Sequence, residues 1–189
     1  MKRLAITGAS GTVGSAIVAH LSEAYDVLPI DLPEVDILNE EQLAKALRAA
    51  DVVIHLAGVF GPAAKGKENW RSPHQDPLNR ALFDAVLETA LKAGAMQFIH
   101  ASSIHVEDTL SFVENQNGLL VAQPGVFSTE TKSGYGQSKR RQEIDVEQSS
   151  KDFPAGAVSI RLGGVTPTNR PLQSHTDPDV LSHERKVWL

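Results

Sequence analysis

Apolar residues along this chain fall in short runs that alternate with amphipathic segments. Leu4, Ala5 and Ile6 read as a buried strand, and Ser15 to Ala24 follows as a helix with Ile17, Val18 and Leu21 on one side. Val27 to Ile30 is the next short run; Val35-Asp36-Ile37-Leu38 is another, too short to define a strand by itself. Asn39 then offers an N-cap with Gln42 three positions later, opening a helix whose stripe is Leu43, Ala46 and Leu47. Asp51 to Gly58 is a further strand, and its apolar continuity suits a parallel strand covered on both faces. His55 lies inside that run and reads as a core histidine rather than a ligand.

The same alternation continues in the second half. Pro77 sits where a helix can begin, and Leu78, Ala81, Leu82, Ala85, Val86 and Ala90 keep a helical rhythm up to Gly94. Met96 to Ala101 is a strand leading into Ser102-Ser103, and Tyr135 to about Ser150 is a helix so polar that its buried face is undefined. Ala157 to Arg161 is the last strand, closing with Leu162-Gly163-Gly164-Val165. Two long excursions, 59–76 and 107–133, carry the glycines and prolines expected of loops, and loops of that length often shape a site. Trp70, in the first, either packs as a lid or anchors its loop. Repeated strand and helix imply an α/β fold of the Rossmann kind, a doubly wound parallel sheet with right-handed crossovers.

Composition narrows the class. A chain of 189 residues is long enough for one sizeable core. The net charge of −5, with no basic block beyond Lys139-Arg140-Arg141, argues against a nucleic-acid partner. Cysteine is absent, which removes disulfides, thiolate metal sites and a cysteine nucleophile. No run of eighteen apolar residues occurs, and the first strand starts too early for a signal peptide, so a soluble, cytoplasmic protein without a membrane partner is expected. His175, Asp177, Asp179 and His183 lack a recognised ligand spacing, so no metal site is expected.

The first candidate chemistry is Thr7-Gly8-Ala9-Ser10-Gly11-Thr12-Val13-Gly14, a glycine turn between strand and helix. Glycine permits the bend and lets the backbone approach a pyrophosphate, while the free N–H groups at the helix start face the anion. Asp31 ends the second strand, where an acid accepts the adenosine ribose hydroxyls and repels a 2′-phosphate; this favours NAD over NADP. Its bland reading is a loop aspartate before Leu32-Pro33. Tyr135 and Lys139, four apart, share a helix face, and a nearby cation favours phenolate. Ser103 at a strand end can hydrogen-bond the same reacting oxygen, which makes an alcohol and carbonyl redox site; for Ser102 a capping role is the simpler reading.

These motifs, taken in order, resemble the extended short-chain dehydrogenase/reductase superfamily, the branch with NAD-dependent sugar epimerases and dehydratases. The resemblance runs from the glycine turn through Asp31, Asp36-Ile37, Leu56-Ala57-Gly58, Asn79, Ala101-Ser102-Ser103 and Tyr135-x-x-x-Lys139 to Arg161-Leu162-Gly163. It implies an NAD cofactor held by Gly8, Ser10, Gly11, Thr12, Val13 and Gly14 at the pyrophosphate, by Asp31 at the ribose and beside Asp36 and Ile37 at adenine. Leu56, Ala57, Gly58, Asn79 and Ser102 complete that site. Tyr135 is implied as acid/base, Lys139 as holder of the nicotinamide ribose and Ser103 as polariser of the substrate oxygen. Ser102-Ser103-Ile104-His105 and Arg161 to Pro167 look most like uronate and related hexose dehydrogenases, although Ile104 replaces the asparagine of those enzymes. The implied substrate contacts are Ser103, His105, Gly164 and Arg170, with Arg185 as the other candidate for a sugar carboxylate.

By the same resemblance, residues 1–165 form an NAD-binding domain that includes the Tyr/Lys helix, and 166–189 begin an incomplete substrate-binding portion. Helices 77–93 and 135–150 are implied as a homodimer interface. The expected function is NAD-dependent oxidation of a small-molecule sugar or sugar acid. A nucleotide-sugar epimerase and a non-catalytic NAD-binding remnant are the alternatives.

Overall fold

A computed structural model of the protein describes residues 1–58, 77–107, 131 and 134–163. Five parallel strands form one sheet: β1 (Arg3–Thr7), β2 (Asp26–Ile30), β3 (Val52–His55), β4 (Gln97–Ser103) and β5 (Ala157–Leu162). Their spatial order is β2-β1-β3-β4-β5, so the chain first steps outward from β1 and then reverses across it. Helices α1 (Thr12–Leu21), α2 (Glu40–Leu47), α3 (Pro77–Lys92) and α4 (Gly134–Ser149) make the connections. Reversal at β1 leaves the carboxyl ends of β1 and β3 without a shared connection, and ligands bind at such crevices.

Alternation along the strands feeds two apolar layers. Leu4 and Ile6 of β1, with Val52 and Ile54 of β3, meet Ile17, Val18 and Leu21 of α1 on one face. Ala5, Val53 and Phe98 meet Leu43 and Leu47 of α2, Phe83 and Val86 of α3 and Val146 of α4 on the other. The apolar stripe of α3 is therefore spent within this core, where Leu82, Phe83, Val86, Leu87 and Ala90 are buried, and needs no second protomer to explain it.

Two boundaries differ from the sequence reading. Helix α1 begins at Thr12 rather than Ser15, because Gly11 in extended conformation serves as its N-cap. Val35 to Leu38 is turn and coil, not strand; Asp36 Oδ1 accepts the Leu38 N–H at 2.9 Å, and the Asp36 carbonyl accepts the Asn39 N–H at 3.0 Å. Asn39 does cap α2, accepting from the Gln42 N–H at 3.1 Å, and Gln42 Oε1 in turn accepts the Asp36 N–H. Trp70, Gly164, Arg170, Arg185, the 59–76 loop, most of the 107–133 excursion and the 166–189 segment lie outside the described residues. Among the described residues no helix is long and apolar enough to cross a membrane.

Candidate active site

The glycine turn sits where β1 ends. Gly8 has φ +72°, a left-handed conformation natural to glycine, and a Cβ on it would lie 2.7 Å from the Ala57 nitrogen. The Gly8 N–H donates to the Ile30 carbonyl at 3.0 Å, tying the turn to the end of β2. At Gly14 a Cβ would collide with the Gly8 carbonyl oxygen, so the start of α1 lies directly against the turn. Gly11 provides no side-chain cap, which leaves the first-turn N–H groups available to an anion.

Around this turn lies a cavity of about 510 Å³. Its walls include Gly8, Ser10, Gly11, Thr12, Val13 and Gly14 from the turn and Asp31, Asp36 and Ile37 beyond β2. Leu56, Ala57 and Gly58 beyond β3 close another side, and Leu32, Val35 and Leu82, which sequence reasoning missed, also line it. Asn79 is not among the lining residues; its carbonyl lies 3.5 Å from Gln142 Nε2 on α4. Partial burial alone would raise the Asp31 pKa. Hydrogen bonds from the Ser10 hydroxyl (2.6 Å) and N–H (2.9 Å) and the Leu32 N–H (3.0 Å) outweigh that and hold it below the ordinary value. Asp31 is thus an ionised acceptor fixed against the glycine turn. A backbone cradle that no Cβ would tolerate, an open helix start and an anchored carboxylate fit the pyrophosphate and ribose of a dinucleotide.

A second cluster forms where β4 ends. His55 pairs with His100 in register, so Gly58 and Ser103 each lie three residues beyond a matched pair on neighbouring strands. Ser103 is buried and caps the short 3-10 turn 104–106, its Oγ accepting the His105 N–H at 3.2 Å. The capping role expected of Ser102 therefore belongs to Ser103, and Ser102 Oγ instead donates to Glu143 Oε1 at 2.5 Å. Lys139 Nζ donates to the Ala101 carbonyl at 2.8 Å. The His105 and Tyr135 rings meet edge to face with centroids 6.2 Å apart. Gly136 explains how close the turn and α4 come: a Cβ there would collide with the His105 carbonyl oxygen. Ser103, His105, Tyr135 and Lys139 are thereby gathered along the contact between β4 and α4.

Beneath the cluster, His55 and His100 are fully buried and stacked at 5.7 Å between centroids. The Thr7 hydroxyl lies 2.8 Å from His55 Nδ1, as a core histidine requires. Burial first, and the Lys139 charge second, push the His55 pKa down to about 3. Burial, Lys139 and His55 together push His100 well below its ordinary value, with Gln142 opposing. The Lys139 ammonium that contributes to both shifts is held on β4 by the Ala101 carbonyl.

Residues 4–178 match the NAD dependent epimerase/dehydratase family. The chain belongs to that family. Over 203 residues it is 32% identical to the L-arabinose 1-dehydrogenase (NAD(P)(+)) of Haloferax volcanii, covering 100% of this chain and 78% of that protein. To the NAD-dependent glucose-6-phosphate dehydrogenase of the same organism it is 26% identical, covering 97% of this chain and 74% of the relative. A solved structure, a mutated uronate dehydrogenase, superposes with a TM-score of 0.63 at 24% identity over 88% of this chain; the chain spans 60% of that structure's length. The epimerase/dehydratase family member described here thus has the fold of the extended short-chain dehydrogenases/reductases.

Within this family member, sequence reasoning missed Gly136, Glu107 and Glu143, and gave Arg161 no role. A signal for Glu143 was present, since it continues the Tyr135, Lys139 spacing by one more turn of helix. Gly14→Ala will lower dinucleotide affinity about tenfold or more, because the new methyl displaces the turn from the start of α1. Titration calorimetry with NAD checks this, and unchanged affinity would contradict the cradle.

Proposed function

We propose that this chain is an NAD-dependent oxidoreductase that oxidises a sugar or sugar acid by hydride transfer at a Ser/Tyr/Lys site. The observation that carries it is the gathering of Ser103, Tyr135 and Lys139 at the carboxyl end of β4, with Lys139 seated on the Ala101 carbonyl. Two relatives named as sugar dehydrogenases support the substrate class. Bound NAD would supply the hydride acceptor. Tyr135 as phenolate takes the proton of the reacting hydroxyl, and the Ser103 hydroxyl orients that oxygen. Lys139 stabilises the phenolate and would hold the ribose of the bound cofactor. At C1 of an aldose, with Tyr135 holding the hydroxyl proton and bound NAD as the group that would accept the hydride, the product would be the lactone.

NADH formation across a panel of pentoses, hexoses and uronic acids tests this, and silence on every member would sink it. An epimerase reading draws support from the family description and from likeness to a UDP-galactose 4-epimerase structure (TM-score 0.63, 21% identity). It predicts sugar-nucleotide product without net NADH. NAD rather than NADP is part of the proposal, through Asp31: Asp31→Ala will shift the NAD to NADP affinity ratio toward NADP by about tenfold, since it removes a charged ribose acceptor. Equal weakening for both cofactors would contradict that role. Homodimer formation through α3 and α4 also belongs to the proposal, and the exposed apolar Leu78 and Ile144 on those helices support it.

A further inference from the structure

We propose that Glu143 and Arg161 are a positioning pair that clamps the carboxyl end of β4 to α4 and so sets where Ser103, Tyr135 and Lys139 meet. The inference rests on the Ser/Tyr/Lys reading above. Tyr135, Lys139 and Glu143 follow one another at intervals of four on α4 and so share a face. Lys139 holds the Ala101 carbonyl and Glu143 holds the Ser102 hydroxyl, so consecutive residues of β4, just before Ser103, are gripped by consecutive turns of the helix. Arg161 on β5 then fixes Glu143 with a fork, Nε at 2.9 and 3.2 Å from the two carboxylate oxygens and Nη2 at 2.8 Å from Oε2. Its Nη1 donates to Glu107 Oε1 at 2.9 Å, immediately after the turn that carries His105.

All three charged side chains are largely withdrawn from water, at 14%, 10% and 3% exposure for Arg161, Glu143 and Glu107. A buried ion pair is a poor source of stability, since apolar side chains of similar volume often do as well. What a planar, bidentate guanidinium supplies that an apolar contact does not is direction. Here the directed elements are β4, β5, α4 and the 104–106 turn, and the chemistry-bearing residues sit between them. The other titratable groups packed around this region among the described residues are His55 on β3, His100 on β4 and His105 on the turn, and α4 also carries Asp145, which pairs with Arg80 of α3 at 2.6 Å.

The chain has two tyrosines, and Tyr25, between α1 and β2, is an internal control. In the full chain labelled with ¹³Cζ-tyrosine, the phenol titrations are followed by NMR, with melting temperature measured in parallel. Arg161→Lys keeps the charge and loses the fork; Ser102→Ala removes one grip without changing charge, and carries the test if the first variant does not fold. Both are expected to raise the Tyr135 midpoint by about 0.5 pH unit or more, toward that of Lys139→Met, with Tyr25 unmoved. A lowered melting temperature with the Tyr135 midpoint unchanged in the folded variants would overturn the clamp. A Lys139→Met variant that leaves Tyr135 unmoved would instead overturn the Ser/Tyr/Lys reading, and the clamp with it.

Discussion

Tyr135→Phe will retain NAD affinity and lose about 10²- to 10⁴-fold in turnover on whichever sugar or sugar acid proves to be the substrate. The substitution deletes one hydroxyl and leaves the ring that meets His105 edge to face, so the contact between α4 and the 104–106 turn survives. A loss of this size is what removal of a positioned acid/base produces, and it should appear in kcat rather than in the binding of cofactor. Calorimetry for NAD and steady-state kinetics on the same preparation separate the two. Undiminished turnover would move the proton-transfer role to another residue, and lost NAD affinity would show that the phenol shapes the cofactor site.

Acidification between pH 6.5 and 4.5 will destabilise the fold steeply, through His55 and His100. Both are neutral in the folded chain, His55 with a value near 3 against 6.5 for the ordinary side chain and His100 also well below 6.5. The folded values are the lower ones, so the unfolded chain takes up protons first as pH falls. Stability is therefore full above about 6.5 and declines toward the folded values, with a limiting slope of about 1.4 kcal/mol per pH unit for each histidine. Urea denaturation at a series of pH values reads that slope directly. His100→Phe should flatten it, because burial governs that ring and a phenyl ring can keep the edge contact with Phe83. Lys139→Met should soften it as well, since the Lys139 charge contributes to both depressions. Constant stability down to pH 4.5 would contradict the burial of the pair.

Most of the fold and the cofactor half of the site can be read from the chain, because their causes are local. Gly8 and Gly14 are needed by backbone geometry within one turn, and Asp31 lies at the tip of a strand that apolar periodicity marks clearly. The start of α1 was harder to place, since Gly11 caps by backbone conformation and has no side chain to announce it. Val35 to Leu38 reads as a possible strand from its apolar content, but Asp36 spends its hydrogen bonds on the turn into α2. The inner face of α4 is illegible by periodicity because it is built from Gly134, Gly136, Gln142 and Val146 together with the Lys139 and Glu143 contacts. Glycines there admit another backbone, and polar side chains there answer to partners 18 to 41 positions away, on β4 and β5.

The absence of a side chain at position 136 has a reach beyond packing. Only a hydrogen atom separates the helix bearing the phenol from the carbonyl of the turn bearing His105, so the gap between the two halves of the proposed reaction centre is measured at a residue with no side chain to offer. Any bulk added there would wedge the halves apart while leaving every reactive group intact.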